Sequence, residues 1–567
     1  MLACSTGGGP SASAETPLPL QTPAPRNSAE LPRVFVDTTM PVQTGKVRKV
    51  TECSELQPAI RAAEYGDTIE IDARLTCVGQ FTLPEKTTGS GWILIETSAI
   101  ANLPLEGTRI NPTIHSAFMP KILTNTGNGH ALRALARAHH YRLIGIEFGQ
   151  TVGISTTDAI LLLDSGASAL TDYAKFLVVD RCYVHGNPAS TARRGIGIGG
   201  NYIAVVDSYI SDMKDSGSDT QAVGGWNFQG PLKIVNNFLE AAGENIVFGG
   251  SAPVVEGVVP SDIEIRGNHL YKPLRWRPGN PEFAGARWLV KNSFEVKSGQ
   301  RILFEGNVVE NNWAGGQAGF MVMLTPAYQS NQVPQAVVQD ITIRYNVFAH
   351  SGGWINSNYT SPGDNSSGPA TPPDVVCTPG QVPVGCLRAR RWNIHDNLVE
   401  DIFGAKWGGE GRALQILGPT DDITFAHNTV FQDGAMIMFG SPGPARNPNR
   451  ITQRFIFRDN LINHGRQGVT GAGTPDAMAT LEFHAPGHVF RGNVIVGDSV
   501  GAYPGKNSFA GDWKKVKFVN GEGANFCLAP DSKFRKAGTD GKDIGADFDA
   551  IEKATAGVVA TGKPPGQ

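Results

Sequence analysis

From Ile234 onward one local pattern recurs eight times, and no other feature limits the fold of this chain so strongly. A short apolar-alternating run leads into an asparagine, and a further apolar pair follows it. The runs are Ile234-Val-Asn-Asn237-Phe-Leu, Ile265-Arg-Gly-Asn268-His-Leu, Phe304-Glu-Gly-Asn307-Val-Val, Ile343-Arg-Tyr-Asn346-Val-Phe, Ile394-His-Asp-Asn397-Leu-Val, Phe425-Ala-His-Asn428-Thr-Val, Phe457-Arg-Asp-Asn460-Leu-Ile and Phe490-Arg-Gly-Asn493-Val-Ile. Successive asparagines lie 31, 39, 39, 51, 31, 32 and 33 residues apart. A recurrence at that period means one supersecondary unit stacked along an axis.

Each unit holds two or three short strand-like runs separated by Gly, Asn, Asp and Pro. In the unit from Arg301 to Arg344 these are Ile302-Leu-Phe304, Val308-Val309 and Phe320-Met-Val-Met-Leu324. No amphipathic helix lies between them, which argues against helical repeats. Three short strands per turn predict an all-β chain, a single-stranded right-handed parallel β-helix. Asparagine suits its corners, since it tolerates left-handed backbone and bonds nearby peptide groups; stacked asparagines can also bond one another. The pattern continues upstream with weaker corners at Leu177-Val-Val-Asp180-Arg-Cys and Ala204-Val-Val-Asp207-Ser-Tyr. Tyr141–Phe148 forms one coil earlier. The expectation is ten or eleven coils, a solenoid some 50 Å long at about 4.8 Å per coil.

A solenoid has open apolar ends that need covering. Ser54 with Gln57 three residues on reads as a capping box, and Leu56, Ile60 and Ala63 share one face, so a cap helix is predicted over 54–65. Residues 46–550 form the β-helix domain, with a Pro/Gly/Ser-rich loop insertion at 357–390 and a C-terminal tail at 551–567. Residues 1–32 read as a lipoprotein-like N-terminus and flexible linker, because Leu-Ala-Cys4 precedes a Gly/Ser/Pro-rich stretch. That pattern offers Cys4 as a lipid anchor and points to an extracellular or cell-surface protein. Cys53 with Cys77, and Cys377 with Cys386, bracket short segments and read as loop staples of an exported chain. Cys182 is expected to be buried and inert. A net charge of −3 gives no case for nucleic acid, no apolar run is long enough to span a bilayer, and a monomer is expected.

Strand alternation locates candidate chemistry. In Lys291-Asn-Ser-Phe-Glu-Val-Lys297, Phe294 and Val296 should point inward, leaving Lys291, Ser293, Glu295 and Lys297 outside. Upstream, Tyr271-Lys-Pro-Leu-Arg-Trp-Arg277 brings Lys272, Arg275 and Arg277 together with aromatic residues. A basic cluster on a net-acidic chain suits an acidic polysaccharide. Eliminative cleavage of a uronate needs a base for the C5 proton and a cation, from Lys, Arg or calcium, to neutralise the carboxylate. Lys297 as base, with Arg275 or Arg277 as neutraliser and Glu295 alongside, forms a coherent catalytic set. Glu244 and Gln317, from neighbouring coils, join Lys272 and Lys291 as candidate substrate contacts. Trp276, Trp313 and Trp354 are offered as sugar-stacking platforms, with Gly-flanked Trp226 and Trp407 in the same pattern. No cofactor is demanded; calcium is an allowed one.

The cap-helix region with Asp67-Thr-Ile-Glu-Ile71, the asparagine-cornered runs and the closing Asp543-Ile-Gly-Ala-Asp547 resemble the pectate-lyase-like superfamily of right-handed β-helices over roughly residues 50–550. The resemblance implies a groove along one sheet in which a polysaccharide lies. The run Val296-Lys-Ser-Gly-Gln300 is similar to the Lys-Ser strand of alginate and chondroitin-type lyases, and only Lys297 carries over, as base. Val290 and Asn292 stand where that family places paired calcium-binding acids. The reading is a lyase acting by β-elimination on an acidic polysaccharide, with two alternatives: a non-catalytic glycan-binding or scaffold β-helix, and a polysaccharide hydrolase.

Overall fold

The computed structural model describes residues 28–326, 336–357, 389–418, 420–440, 451–497, 503–521 and 525–559. Its strands form three long sheets in which every neighbouring pair runs parallel and successive members come from successive coils: a right-handed parallel β-helix. Within one coil the chain passes through sheet I (Leu232–Val235), sheet II (Phe238–Ala241) and sheet III (Glu244–Phe248) before starting the next. Sheets I and II hold 14 strands each and sheet III holds 12, so ten or eleven coils was too few. The short first coils, Val47–Val50 and Thr68–Ile71, lack the asparagine signal that marks the later ones.

The repeated asparagines form a ladder up the corner between sheets I and II. Each Nδ2 donates to the Oδ1 of the asparagine one coil on: Asn237 to Asn268 (3.0 Å), Asn268 to Asn307 (3.0 Å), Asn307 to Asn346 (3.1 Å), Asn346 to Asn397 (2.9 Å), Asn397 to Asn428 (2.9 Å), Asn428 to Asn460 (3.1 Å) and Asn460 to Asn493 (3.0 Å). Asn507 adds a further rung at 3.0 Å. The left-handed residue is the one before each asparagine: Asn236, Gly267, Gly306, Tyr345, Asp396, His427, Asp459 and Gly492 all have φ between 50° and 71°. The asparagine was expected to take that backbone itself. Instead the preceding residue makes the turn, so the amide points inward and stacks.

The apolar side chains of all three inner faces form one continuous core from Val50 to Tyr503. At its N-terminal end the helix Cys53–Ala62 buries Leu56 and Ile60 against the first strands. The helix begins one residue before the expected Ser54, and Glu55 Oε2 accepts from the backbone N–H groups of Thr51 and Glu52. Gln57 is not part of a capping box, because its amide pairs with the Thr82 backbone of the neighbouring strand (3.0 and 2.8 Å). The Cys53–Cys77 disulfide is present, and Cys182 is buried with its thiol pushed up to about 12 by burial. Cys4, Cys377, Cys386 and most of the 357–390 insertion lie outside the described residues.

Three segments wrap the outside. Residues 28–46 cross sheet I: Glu30 N–H donates to Asp340 (3.2 Å) and Arg33 N–H to Asp262 (2.9 Å), Lys233 Nζ donates to the Val36 carbonyl (3.2 Å), and Lys46 N–H donates to Asp67 (2.7 Å). On sheet II, Phe526, Ala546, Ile551 and Val558 cover Val308, Val347 and Leu398, while Leu103, Ile110 and Met119 cover Tyr183 and Tyr209. None of these three segments lies on sheet III.

Candidate functional site

The outward row of sheet III runs in register through Leu162, Gly197, Gly224, Val247, Glu295, Met323, Asn356 and Gln415. Below Val247 stand two successive glycines, and side chains of the adjoining coils lean over them: a Cβ at Gly197 would come within 2.7 Å of Leu162, and one at Gly224 within 3.1 Å of Val247. Immediately above lies a cluster of charges. Phe294 and Val296 are in the core, as alternation requires, and Glu295 projects outward. Lys297, at the end of the strand, leans back so that its Nζ lies 3.4 Å from Glu295 Oε1, and a quarter of its side chain (26%) is exposed. Gly250 makes room for this. Its φ is +88°, and a Cβ there would come within 2.8 Å of Lys297 Cδ and 3.6 Å of its Nζ.

Glu244 joins the cluster from the coil below. Lys291 Nζ lies 2.6 Å from Glu244 Oε1 and 2.8 Å from Asp219 Oδ2. Gln221 Nε2 donates to Glu244 Oε2 at 2.8 Å, and Arg194 Nε donates to Gln221 Oε1 at 2.7 Å. The Arg194 guanidinium sits 5.0 Å over the half-buried Trp226 ring. The order across the flank is therefore Trp226, Arg194, Gln221, Glu244, with Lys291 and Glu295 on Glu244 and Lys297 on Glu295.

These contacts set the ionisation states. Burial pushes the Glu295 carboxyl up to about 7, and the negative charge of Glu244, with which it shares a hydrogen bond, acts in the same direction against Lys297 and Lys291. Burial opposes ionisation of Glu244 too, but the Lys291 ammonium and the Gln221 amide outweigh it and hold that carboxyl below its usual range. Lys291 is raised: burial works against its charge, and Glu244 and Glu295 more than offset that. Two carboxyls in contact, one ionised and one holding a proton near neutrality, is the arrangement expected when like charges share a buried site. Perturbed groups of this kind concentrate at functional sites.

The other candidates lie elsewhere. Arg275 lies 3.7 Å from Glu240 and over Trp276, and Arg277 stacks 4.3 Å over Trp407 and donates to the Lys406 carbonyl, so both serve the corner between sheets II and III. Lys272 is fully buried. Burial drives its ammonium down to about 7, yet its Nζ sits among the carbonyls of Ala241 (2.9 Å), Ala242 (3.2 Å) and Gly243 (2.7 Å) and Asn245 Oδ1 (3.2 Å), a cage that suits an ammonium with its donors spent. Trp354 is inside the solenoid against Phe348 and Phe425, and Trp276 and Trp313 pack with Trp407 under the corner loops. None of these three rings is free for a sugar; the glycines beside them let the corner close inward. Gln317 is half-buried at the same corner. Arg194, Gln221 and Asp219 were missed by the sequence reading, since nothing local marks them and only coil stacking brings them to Glu244 and Lys291. Among the described residues, the one His/Asp/Glu group close enough to share a metal ion is His427, Asp459 and Asp540. It lies away from sheet III, where Thr539 and Arg458 also bind Asp459 and so pin the C-terminal segment.

No family model and no curated protein matches the chain. Among solved structures, the PL6 family alginate lyase AlyGC matches with a TM-score of 0.47 at 14% identity, over 91% of this chain and 59% of that one. The chain thus spans under two thirds of the length of that structure. A mannuronic acid specific family 6 lyase from human gut microbiota matches with a TM-score of 0.40 at 12% identity, over 90% of this chain and 98% of that one. Pectate lyase Pel9A matches with a TM-score of 0.30 at 11% identity, over 89% and 96%. Its three all-parallel sheets, laid down coil by coil, make the fold a right-handed parallel β-helix.

Proposed function

We propose that the protein is a secreted or surface-tethered polysaccharide lyase that cleaves an acidic polysaccharide by β-elimination on the outer face of sheet III. The observation that carries this reading is Lys297. It is a partly exposed amine at the edge of the flank that no wrapping segment crosses, and it is held against a carboxyl whose proton is retained near neutrality. In the step itself, Lys297 Nζ takes the C5 proton of a uronate. The electron pair of that C–H bond forms the C4–C5 double bond as the C4–O4 bond breaks, and the leaving O4 takes a proton from water. Lys291 supplies the positive field for the sugar carboxylate, the role that Arg275 and Arg277 are too far engaged to fill. Glu295 beside Lys297 accommodates the charge that the amine gains. The disulfide supports export, since such bonds persist in oxidising compartments.

The engagement of Glu244 speaks against a hydrolase. A glycosidase leaves two carboxyls free to flank the scissile bond, whereas Glu244 is buried and held by Lys291 (2.6 Å) and Gln221 (2.8 Å). A second reading, a non-catalytic glycan binder, draws on the internal pairing of the charges, in particular Lys291 between Glu244 and Asp219. The test is incubation with alginate, pectate, chondroitin and heparin, with calcium and with a chelator, while following the ultraviolet absorbance of unsaturated uronate. Product from at least one polymer supports the lyase; retention of a polymer without product on any of the four supports the binder.

A further inference from the structure

Arg194 differs from most other arginines of the described flanks in how it is neutralised. Arg301, Arg391 and Arg454 each lock onto a carboxylate with two guanidinium nitrogens. The nearest carboxylate to Arg194 is the half-exposed Asp158, 3.7 Å from NH1, and its one short contact is to a neutral amide, Gln221 Oε1. The guanidinium plane is nevertheless fixed, by Gln221 on one edge and the Trp226 ring at 5.0 Å. A rigid, under-neutralised planar fork is suited to a carboxylate, which it can bind through two parallel hydrogen bonds.

Its surroundings point the same way. Arg193 and Arg133, on the same and on a lower coil, each bury a guanidinium Nε that has no hydrogen-bond partner. Their other nitrogens donate to backbone carbonyls, Arg193 to Thr157 (3.5 Å) and Arg133 to Ser165 (3.3 Å), so both add positive charge beside Arg194. Gly197 and Gly224, in the outward row that leads up to Glu295, lie on the strands of Arg194 and of the coil above it. From the strand of Arg194 to that of Lys297 is three coil steps through Gln221–Gly225 and Glu244–Phe248, roughly 14 Å or about three sugar rings along the axis.

We infer that Arg194, clamped by Gln221 and Trp226, is a second anion subsite of the sheet III groove, taking the carboxylate of a uronate unit bound on the N-terminal side of Lys297. The inference rests on the reading of sheet III as the polysaccharide-binding flank and adds a direction to it: the polymer runs along the solenoid axis, and a chain too short to reach both residues gains nothing from Arg194.

The experiment measures binding and turnover of oligouronates from dimer to hexamer, drawn from whichever of the alginate and pectate series the wild type retains, for the wild type, Arg194→Ala, Arg194→Lys and Lys297→Ala. For the hexamer, Arg194→Ala should raise Kd and KM at least about tenfold, the loss expected for a charged hydrogen-bonded contact. The same variant should leave kcat within about twofold and dimer binding unchanged. Arg194→Lys, which keeps the charge and loses the fork, should fall between, and Lys297→Ala should still bind the hexamer. Hexamer affinity and KM unchanged in Arg194→Ala and Arg194→Lys would overturn the subsite while leaving the lyase reading intact. Arg194-dependent binding with no product from the wild type would sustain the subsite and sink the lyase reading alone.

Discussion

Asn346 donates through Nδ2 to Oδ1 of Asn397 at 2.9 Å, although 51 residues separate them. The Oδ1 of Asn346 in turn accepts from both the backbone N–H and the Nδ2 of Asn307. Each rung thus satisfies buried donors and acceptors on two coils at once, including the corner peptide groups that the solenoid core would otherwise leave unpaired.

Truncating a mid-ladder rung should therefore cost more than one hydrogen bond. Asn346→Ala removes an acceptor from Asn307 and a donor from Asn397, and we expect a loss of about 2–4 kcal/mol. Asn507→Ala, at the last rung, should cost less. Denaturant unfolding of the two variants measures the difference, and equal losses would contradict the ladder's role.

The buried Lys272 ammonium gives a second stability test. Lys272→Met leaves three backbone carbonyls and Asn245 Oδ1 facing an apolar side chain, and should destabilise by about 3 kcal/mol or more. Thermal unfolding reports it. A variant as stable as the wild type would mean that the cage contributes nothing.

Glu295 predicts a pH dependence of defined sign. Its folded-state carboxyl is raised to about 7 from the ordinary 4.5, so between those values the folded state holds a proton that the unfolded state has released. Stability from this group is complete below about 4.5 and is lost as pH rises through about 7. Glu295→Gln removes the titration, so its stability relative to wild type should improve by on the order of a few kcal/mol from pH 5 to pH 8. Glu240, also raised to about 7, is common to both proteins and cancels. Unfolding curves at the two pH values decide it; a relative stability independent of pH would remove the shared-proton account of Glu244 and Glu295.

The Cys53–Cys77 bridge closes a loop with a sequence separation of 24 around the N-terminal helix. Replacing both cysteines with serine should lower stability by about 3 kcal/mol, read from denaturant unfolding of the double variant beside wild type. Unchanged unfolding of the double variant would show that the bridge is dispensable.

The period of the asparagines made the solenoid legible because each coil repeats one requirement: an inward amide at one corner. The one-residue offset of the left-handed position was not legible, since Asn236, Tyr345, Asp396 and His427 share no residue type and only the backbone shows what they have in common. Alternation correctly put Glu295 and Lys297 outside and Phe294 and Val296 inside. It failed for Lys272, whose charge suggested the surface while four oxygens of the coil below capture it. Glycine beside Trp354 and Trp313 suggested open platforms, yet the missing side chains let those corners close over the rings. Arg194 and Gln221 were invisible for a different reason: their partners Glu244 and Lys291 lie on other coils, and only register joins them.

The most direct test of the central claim is the rate of unsaturated-uronate formation by Lys297→Ala and Lys297→Arg beside wild type, with circular dichroism confirming the fold. If Lys297 is the base, both variants should lose about 10²–10⁴-fold in kcat while still retaining the polymer, since neither alanine nor an always-charged guanidinium can accept the C5 proton. Turnover in Lys297→Ala within a few-fold of wild type would contradict the account.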